Sequence, residues 1–161
     1  MKILKYILVF AAIWLPAESI FSHPEENPEE NLTAATAAPD TIVVLNKADF
    51  LAKVYNYEKH PQEWVYEGKL PCIIDFYADW CGPCRKVAPV LKALAAEYKG
   101  KLIIYKIDVD REKELARLFG VSSIPMYLFI PEKDKPQTSV GAMPRESFEK
   151  VIKEFLLKDS E

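Results

Sequence analysis

An α/β domain, with a central mixed β-sheet flanked by helices on both faces, is the fold class this sequence predicts, on three observations. Short β-branched and apolar runs of strand length alternate with stretches whose apolar residues recur at helical spacing. The strand-like runs at 72–77 and 101–109 are separated by a helical pattern, so those strands pair in parallel. The last two strand-like runs, at 126–130 and 137–141, are joined by a short turn instead, so they pair antiparallel.

The elements follow in order. Residues 41–45 form a first strand, and Asn46 is positioned to cap a helix from Ala48 to Tyr55 that offers Phe50, Leu51 and Val54 for packing. Residues 56–69, NYEKHPQEWVYEGK, form a polar and aromatic loop that holds His60, Trp64 and Tyr66, with His60 expected in solvent. Residues 72–77, CIIDFY, read as a buried strand. From Pro83 to Tyr98, Val87, Val90, Leu91, Leu94 and Ala95 are spaced for a helix, with a kink expected at Pro89. After the strand at 101–109, residues 111–119 form a helix with Leu115, Leu118 and Phe119 inward and Gly120 as its cap. Pro144 opens the last helix, whose apolar face is Phe148, Val151, Ile152, Phe155 and Leu156. The order is β-α-β-α-β-α-β-β-α, with no internal repeat.

The 161 residues suffice for one domain with its own core; half are apolar and 28% charged, the balance of a globular chain. The net charge of −3, with no basic stripe, argues against a nucleic-acid partner. Three cysteines make one pair and one leftover, which is no disulfide scaffold. Residues 1–22 read as a secretory leader: Lys2 and Lys5, an apolar run from Ile7 to Leu15, and cleavage expected after Ala17 or Ser22. The alternative, an uncleaved anchor, is disfavoured because the run is short and no second one can span a bilayer. No cysteine sits just after this run to accept a lipid. Without the leader, 19 Lys and Arg face at most 24 Asp and Glu, a mildly acidic balance. Residues 23–40, rich in Pro, Glu and Ala, bury too little to offset their ordering entropy and read as a flexible linker. Asn31-Leu32-Thr33 within it matches a glycosylation sequon, which matters only in a eukaryotic secretory pathway. The folded domain is residues 41–161.

Trp80-Cys81-Gly82-Pro83-Cys84 carries the chemistry. Two cysteines separated by two residues can close a small ring and open it again. They sit where a strand ends and a helix begins, where unpaired backbone N–H groups and the helix dipole favour a thiolate. Cys81, first of the pair, is the nucleophile by position, with an exposed sulfur. Cys84, one turn further in, is expected to be more buried. A carboxylate at Asp75, amid Ile73, Ile74 and Phe76, is costly to bury charged, so its pKa is expected to rise, which suits a group that takes and returns one proton near neutrality. Cys72 reads as a small buried apolar residue; a regulatory or intermolecular disulfide is the alternative.

Three signals together identify the chain, across 41–157, as resembling the thioredoxin family: Trp80–Cys84, Ile124-Pro125 after Gly120-Val121, and Val140-Gly141 before the last helix. The resemblance implies the thioredoxin fold and a protein-disulfide reductase that works without cofactor or metal through the Cys81–Cys84 redox disulfide. In this scheme Cys81 attacks a substrate disulfide, and Cys84 then displaces the reduced substrate. The resemblance assigns Asp75 as acceptor of the Cys84 proton, through a water, and matches Lys106 to the lysine beside that acid. It places a cis bond before Pro125, so that an extended substrate segment can pair with the backbone of Ile124. Trp80, Gly82, Pro83, Ile124, Pro125 and Gly141 would frame the substrate surface, with Gly82 and Gly141 allowing close backbone approach. The 56–69 loop looks longer than the family minimum. Gly-Pro between the cysteines is the choice of reductants, poised near about −270 mV, rather than of strong oxidants of about −120 mV.

Three other readings compete. A specialised reductase for c-type cytochrome maturation would often carry an insertion before the Ile-Pro turn, and none is seen. A non-catalytic binding or chaperone module would not need Cys81, Cys84 and Asp75 intact. A zinc site would need two more ligands than the pair supplies. The expected setting is the bacterial periplasm; no retention tetrapeptide closes the sequence. The expected partners are disulfide-containing exported proteins and a membrane electron donor. The mature protein is expected to be a monomer outside the bilayer.

Overall fold

A computed structural model describes residues 42–158, all within the unit spanning Ala35–Glu161. The leader, the linker with its sequon, Thr41 and the last three residues lie outside the described residues.

The described residues form a five-stranded sheet: β1 (Val43–Val44), β2 (Cys72–Tyr77), β3 (Ile103–Asp108), β4 (Met126–Ile130) and β5 (Gln137–Val140). Four helices accompany them: α1 (Lys47–Lys53), α2 (Gly82–Glu97), α3 (Lys113–Leu118) and α4 (Arg145–Val151). The strands stand in the order β1-β3-β2-β4-β5. β1, β3 and β2 are parallel; β4 is antiparallel to β2, and β5 to β4. This is the mixed sheet of the thioredoxin fold.

Side chains of a strand alternate between faces. Cys72, Ile74 and Phe76 enter one core, which Phe50 of α1 and Leu115 of α3 complete. Ile73 enters the other, built with Leu91 and Leu94 of α2 and Phe148 of α4. Asp75 therefore shares the face covered by α2 and α4. The helices lie on both faces, as the alternation of patterns predicts.

Local chemistry explains the element ends. The Asn46 side chain accepts the Asp49 N–H at 2.8 Å and caps α1. α2 runs unbroken through Pro89, where a kink is expected from sequence; Pro89 lies on the exposed side, so the donor it lacks is missing only at the solvent face. In α3 the expected inward Leu118 is 47% exposed. A six-residue helix turns Leu115 and its fourth neighbour Phe119 to the core, and Phe119 packs on Phe50 and Phe76 at 5.5 and 5.7 Å. Gly120 follows the cap residue Phe119, with φ of +62° and its N–H on the Arg117 carbonyl at 3.1 Å. α4 continues into a π-helical turn, Ile152–Leu156, closed by the Leu157 N–H on the Ile152 carbonyl at 2.8 Å. Phe148, Ile152 and Leu156 are buried, while Val151 and Phe155 sit at the flank.

The 56–69 loop folds back on the α1/α3 face. Tyr55 bridges to Tyr66, stacks on Trp64 at 4.5 Å and donates its hydroxyl to the His60 carbonyl at 2.8 Å. His60 is thus half-buried, not a free loop histidine, because its backbone is held by that tyrosine.

Candidate active site

The disulfide sits at a turn between β2 and α2. After Tyr77 the chain buries Ala78, whose carbonyl accepts the Cys81 N–H at 3.1 Å. Cys81 has extended backbone and caps α2: its Sγ accepts the Cys84 N–H at 3.2 Å. One backbone donor left over at the helix start is therefore aimed at this sulfur, and the helix dipole points the same way. Cys81 and Cys84 are disulfide-bonded, with Cα atoms 5.3 Å apart. Sequence reasoning has Cys81 exposed and Cys84 sheltered. In the disulfide form both are buried, at 3% and 4% exposure, because Tyr77, Val109 and Ile124 pack around the pair. What separates the two sulfurs is position, one before the first helical turn and one inside it.

Asp75 lies on the α2/α4 face of β2, 1% exposed. Burial pushes its carboxyl up to about 6, and the Lys106 ammonium pulls the other way. Lys106 stands opposite Asp75 in the parallel β2–β3 register, with Nζ 3.8 Å from Asp75 Oδ2. It is not a solvated lysine: its side chain is 18% exposed and its ammonium lies 3.7 Å from the centre of the Tyr77 ring. Asp75 Oδ1 is buried without a hydrogen-bond partner.

The surface beside the disulfide is a shallow groove of about 340 Å³ between Trp80 and the 121–124 segment, floored by Val109. Trp80 is 67% exposed, and its indole N–H donates to Asp110 Oδ2 at 2.8 Å. The Asp110 N–H in turn donates to Asp108 Oδ1 at 2.9 Å, and Arg111 Nε lies 3.3 Å from Asp108 Oδ2. Asp108 and Asp110 are the residues that sequence reasoning misses. The signal is an acid at the end of a strand followed two places on by another, which only a contact to Trp80 makes meaningful.

The Ile124–Pro125 peptide bond is cis, as the resemblance implies. Ile124 is half-buried against the disulfide and Pro125 is buried. The Pro125 carbonyl accepts the Gly141 N–H at 2.8 Å, so the two loops lie side by side. Gly141 has φ of +95°, a conformation that favours glycine. Gly82 is different: a Cβ there would meet only Arg85 Nη2, at 4.0 Å, so nothing inside the protein demands a glycine. Pro83 is exposed in the first turn of α2. The arrangement brings Cys81, Cys84, Trp80, Ile124 and Pro125 to one end of the sheet, with Asp75 and Lys106 beneath on the α2 side.

The family model described as Thioredoxin matches residues 41–154. The thioredoxin of Borreliella burgdorferi is 42% identical over 113 residues, 70% of this chain and 96% of that protein. The thioredoxin of Haemophilus influenzae is 36% identical over 115 residues, 71% of this chain and 97% of that protein. Among solved structures, a point-mutant thioredoxin from Halobacterium salinarum matches with a TM-score of 0.59 and 27% identity, over 75% of this chain and 96% of that one.

Proposed function

The chain belongs to the thioredoxin family and is a thiol–disulfide oxidoreductase; on that premise we propose that it works in the bacterial periplasm as a reductant of disulfides in exported proteins. The observation that carries this reading is a redox-active pair at a helix start, on the same side of the sheet as a buried acid whose pKa lies near 6.

The cycle opens when the Cys81 thiolate attacks one sulfur of a substrate disulfide. A mixed disulfide forms, and the other substrate sulfur leaves as a thiolate that takes up a proton. The Cys84 thiol passes its proton to Asp75, through a water, and its sulfur attacks Cys81 Sγ. The second substrate sulfur leaves reduced, and the Cys81–Cys84 disulfide remains. Two electrons have moved from the dithiol to the substrate. A carboxyl that titrates near 6 is neutral enough to give the proton back and basic enough to take it. Lys106 holds the charged form of that acid. Ile124 and Trp80 border the groove in which an extended substrate segment would lie.

Export rests on the leader pattern in residues 1–22. A reductant outside the cytoplasm cannot draw on cytosolic electrons directly, so a membrane protein must re-reduce it. The Gly-Pro spacer, which the thioredoxin resemblance associates with reductants, supports this reading, and a measured potential above roughly −200 mV would contradict it. The deciding experiment is Cys84→Ser in the native host: mixed disulfides through Cys81 to exported proteins, and to a membrane donor, are expected. Recovery of cytosolic clients alone would overturn the proposed compartment.

A further inference from the structure

Asp75 has neighbours on both adjacent strands, and they are unequal. On β3, Lys106 stands opposite and forms the ion pair already described. On β4, Tyr127 stands opposite in the antiparallel register. Residues directly opposite in a sheet point to the same face, with Cβ atoms about 4.5–5.5 Å apart. Lys106, Asp75 and Tyr127 thus make a polar row across three strands of the α2/α4 face, where Ile73, Ile104 and Phe129 are otherwise apolar.

Tyr127 is fully buried, yet its hydroxyl has no hydrogen-bond partner. Asp75 Oδ1 is likewise buried and unpartnered. An orphaned buried polar atom is costly, and here a donor and an acceptor are orphaned on paired residues of one face. The Tyr127 ring is held edge-on against Phe148 of α4, with centroids 4.9 Å apart, so it is not free to swing to solvent. A phenylalanine would fill the same space without an orphan. Facing Asp75 are the Lys106 ammonium from β3 and the Tyr127 phenol from β4; α2 carries the Cys81–Cys84 pair at its start, and α4 presents the apolar Phe148 to this layer.

We propose that Tyr127 is a positioning residue for Asp75, donating its phenolic O–H to Asp75 Oδ1 across one water molecule while Lys106 holds Oδ2. The carboxylate is then gripped from both sides, and the tyrosine helps set the pH at which it takes a proton. The phenol stays protonated throughout, since burial and the nearby carboxylate both raise its pKa. The consequence for turnover rests on the proposed role of Asp75 as acceptor of the Cys84 proton; the link itself does not.

The test is Tyr127→Phe, with the Asp75 carboxyl titrated by carbon NMR in the disulfide form, where neither active-site thiol can titrate. Loss of a donor to the charged form raises its pKa, by about 0.5–1 for a link through water. A thermal melt within a few degrees of the parent shows that the core still packs. An unmoved Asp75 titration in a folded Tyr127→Phe protein overturns the proposal. The pH profile of disulfide reduction is then read separately: if it moves up with the carboxyl, both readings stand. If the carboxyl moves and the profile does not, Tyr127 still positions Asp75, and it is Asp75 as proton acceptor that fails.

Discussion

One strand carries two buried titratable side chains three residues apart and sends them to opposite faces of the sheet. Cys72 faces the α1/α3 side, where Tyr66, Tyr105 and the 56–69 loop close over it. Asp75 faces the α2/α4 side, in register with Lys106 and Tyr127. Burial raises the pKa of both. The Cys72 thiol is pushed up to about 12, although a hydrogen bond with Tyr66 works against that, so at neutral pH it carries almost no thiolate and is chemically quiet. The Asp75 carboxyl starts lower and is restrained by an ammonium, so it stops at about 6, inside the working range. Burial alone therefore does not make a functional group. The ordinary pKa of the side chain and one opposite charge decide which of the two groups can exchange a proton near neutrality.

The largest expected effect comes from removing the acid. The folded-state pKa of Asp75 lies above the ordinary 3.8, so the folded protein holds a proton that the unfolded chain releases. Stability is full below pH 3.8 and falls as pH rises through about 6, by on the order of 3 kcal/mol. Asp75→Asn should unfold at higher denaturant than the parent at pH 8 and match it near pH 4. Parallel stability curves from pH 4 to 8 would show that the carboxyl is not destabilised by its face.

Next in size is Gly68→Ala on the opposite side. A Cβ there would overlap the Tyr66 ring, which is tied by its hydroxyl to the Leu70 carbonyl. Displacing the ring should cost about 1–3 kcal/mol. It should also open Cys72 to alkylation while disulfide reduction stays unchanged. A loss of stability with Cys72 still unlabelled would mean that Tyr66 does not seal this face.

Cys72→Ala should do least. Turnover should remain within about twofold of the parent, with a stability loss of about 1 kcal/mol for the small cavity. In the native parent, mass spectrometry after alkylation should leave Cys72 unlabelled. A tenfold loss of turnover would put chemistry on the face that burial keeps inert.

Much of the molecule is readable from single stretches of chain. CIIDFY announces a buried strand with an acid in it, and WCGPC announces a strand end, a helix start and a reactive pair, because both signals lie within a few residues of each other. Asn46 is legible as a cap for the same reason. Leu118 defeats the pattern because helical spacing alone does not say which side of a two-turn helix the core lies on. The burial of Cys81 is invisible in the sequence because Ile124 and Val109, which cover it, arrive from distant loops. Asp110 goes unnoticed because a surface acid has meaning only next to the indole it holds, and Asp108 because it acts through the Asp110 backbone it accepts from.

By itself the sequence determined the order of strands and helices, the cysteine pair at a helix start and the acid buried in the strand before it, all consequences of local periodicity and residue type, while the resemblance to the thioredoxin family added the Ile124-Pro125 turn beside them. Only the tertiary structure set Lys106 and Tyr127 in register on either side of Asp75, and it alone revealed Tyr127 there. That depends on register between strands far apart in the chain, and a shift of one residue would have turned Lys106 and Tyr127 to the other face.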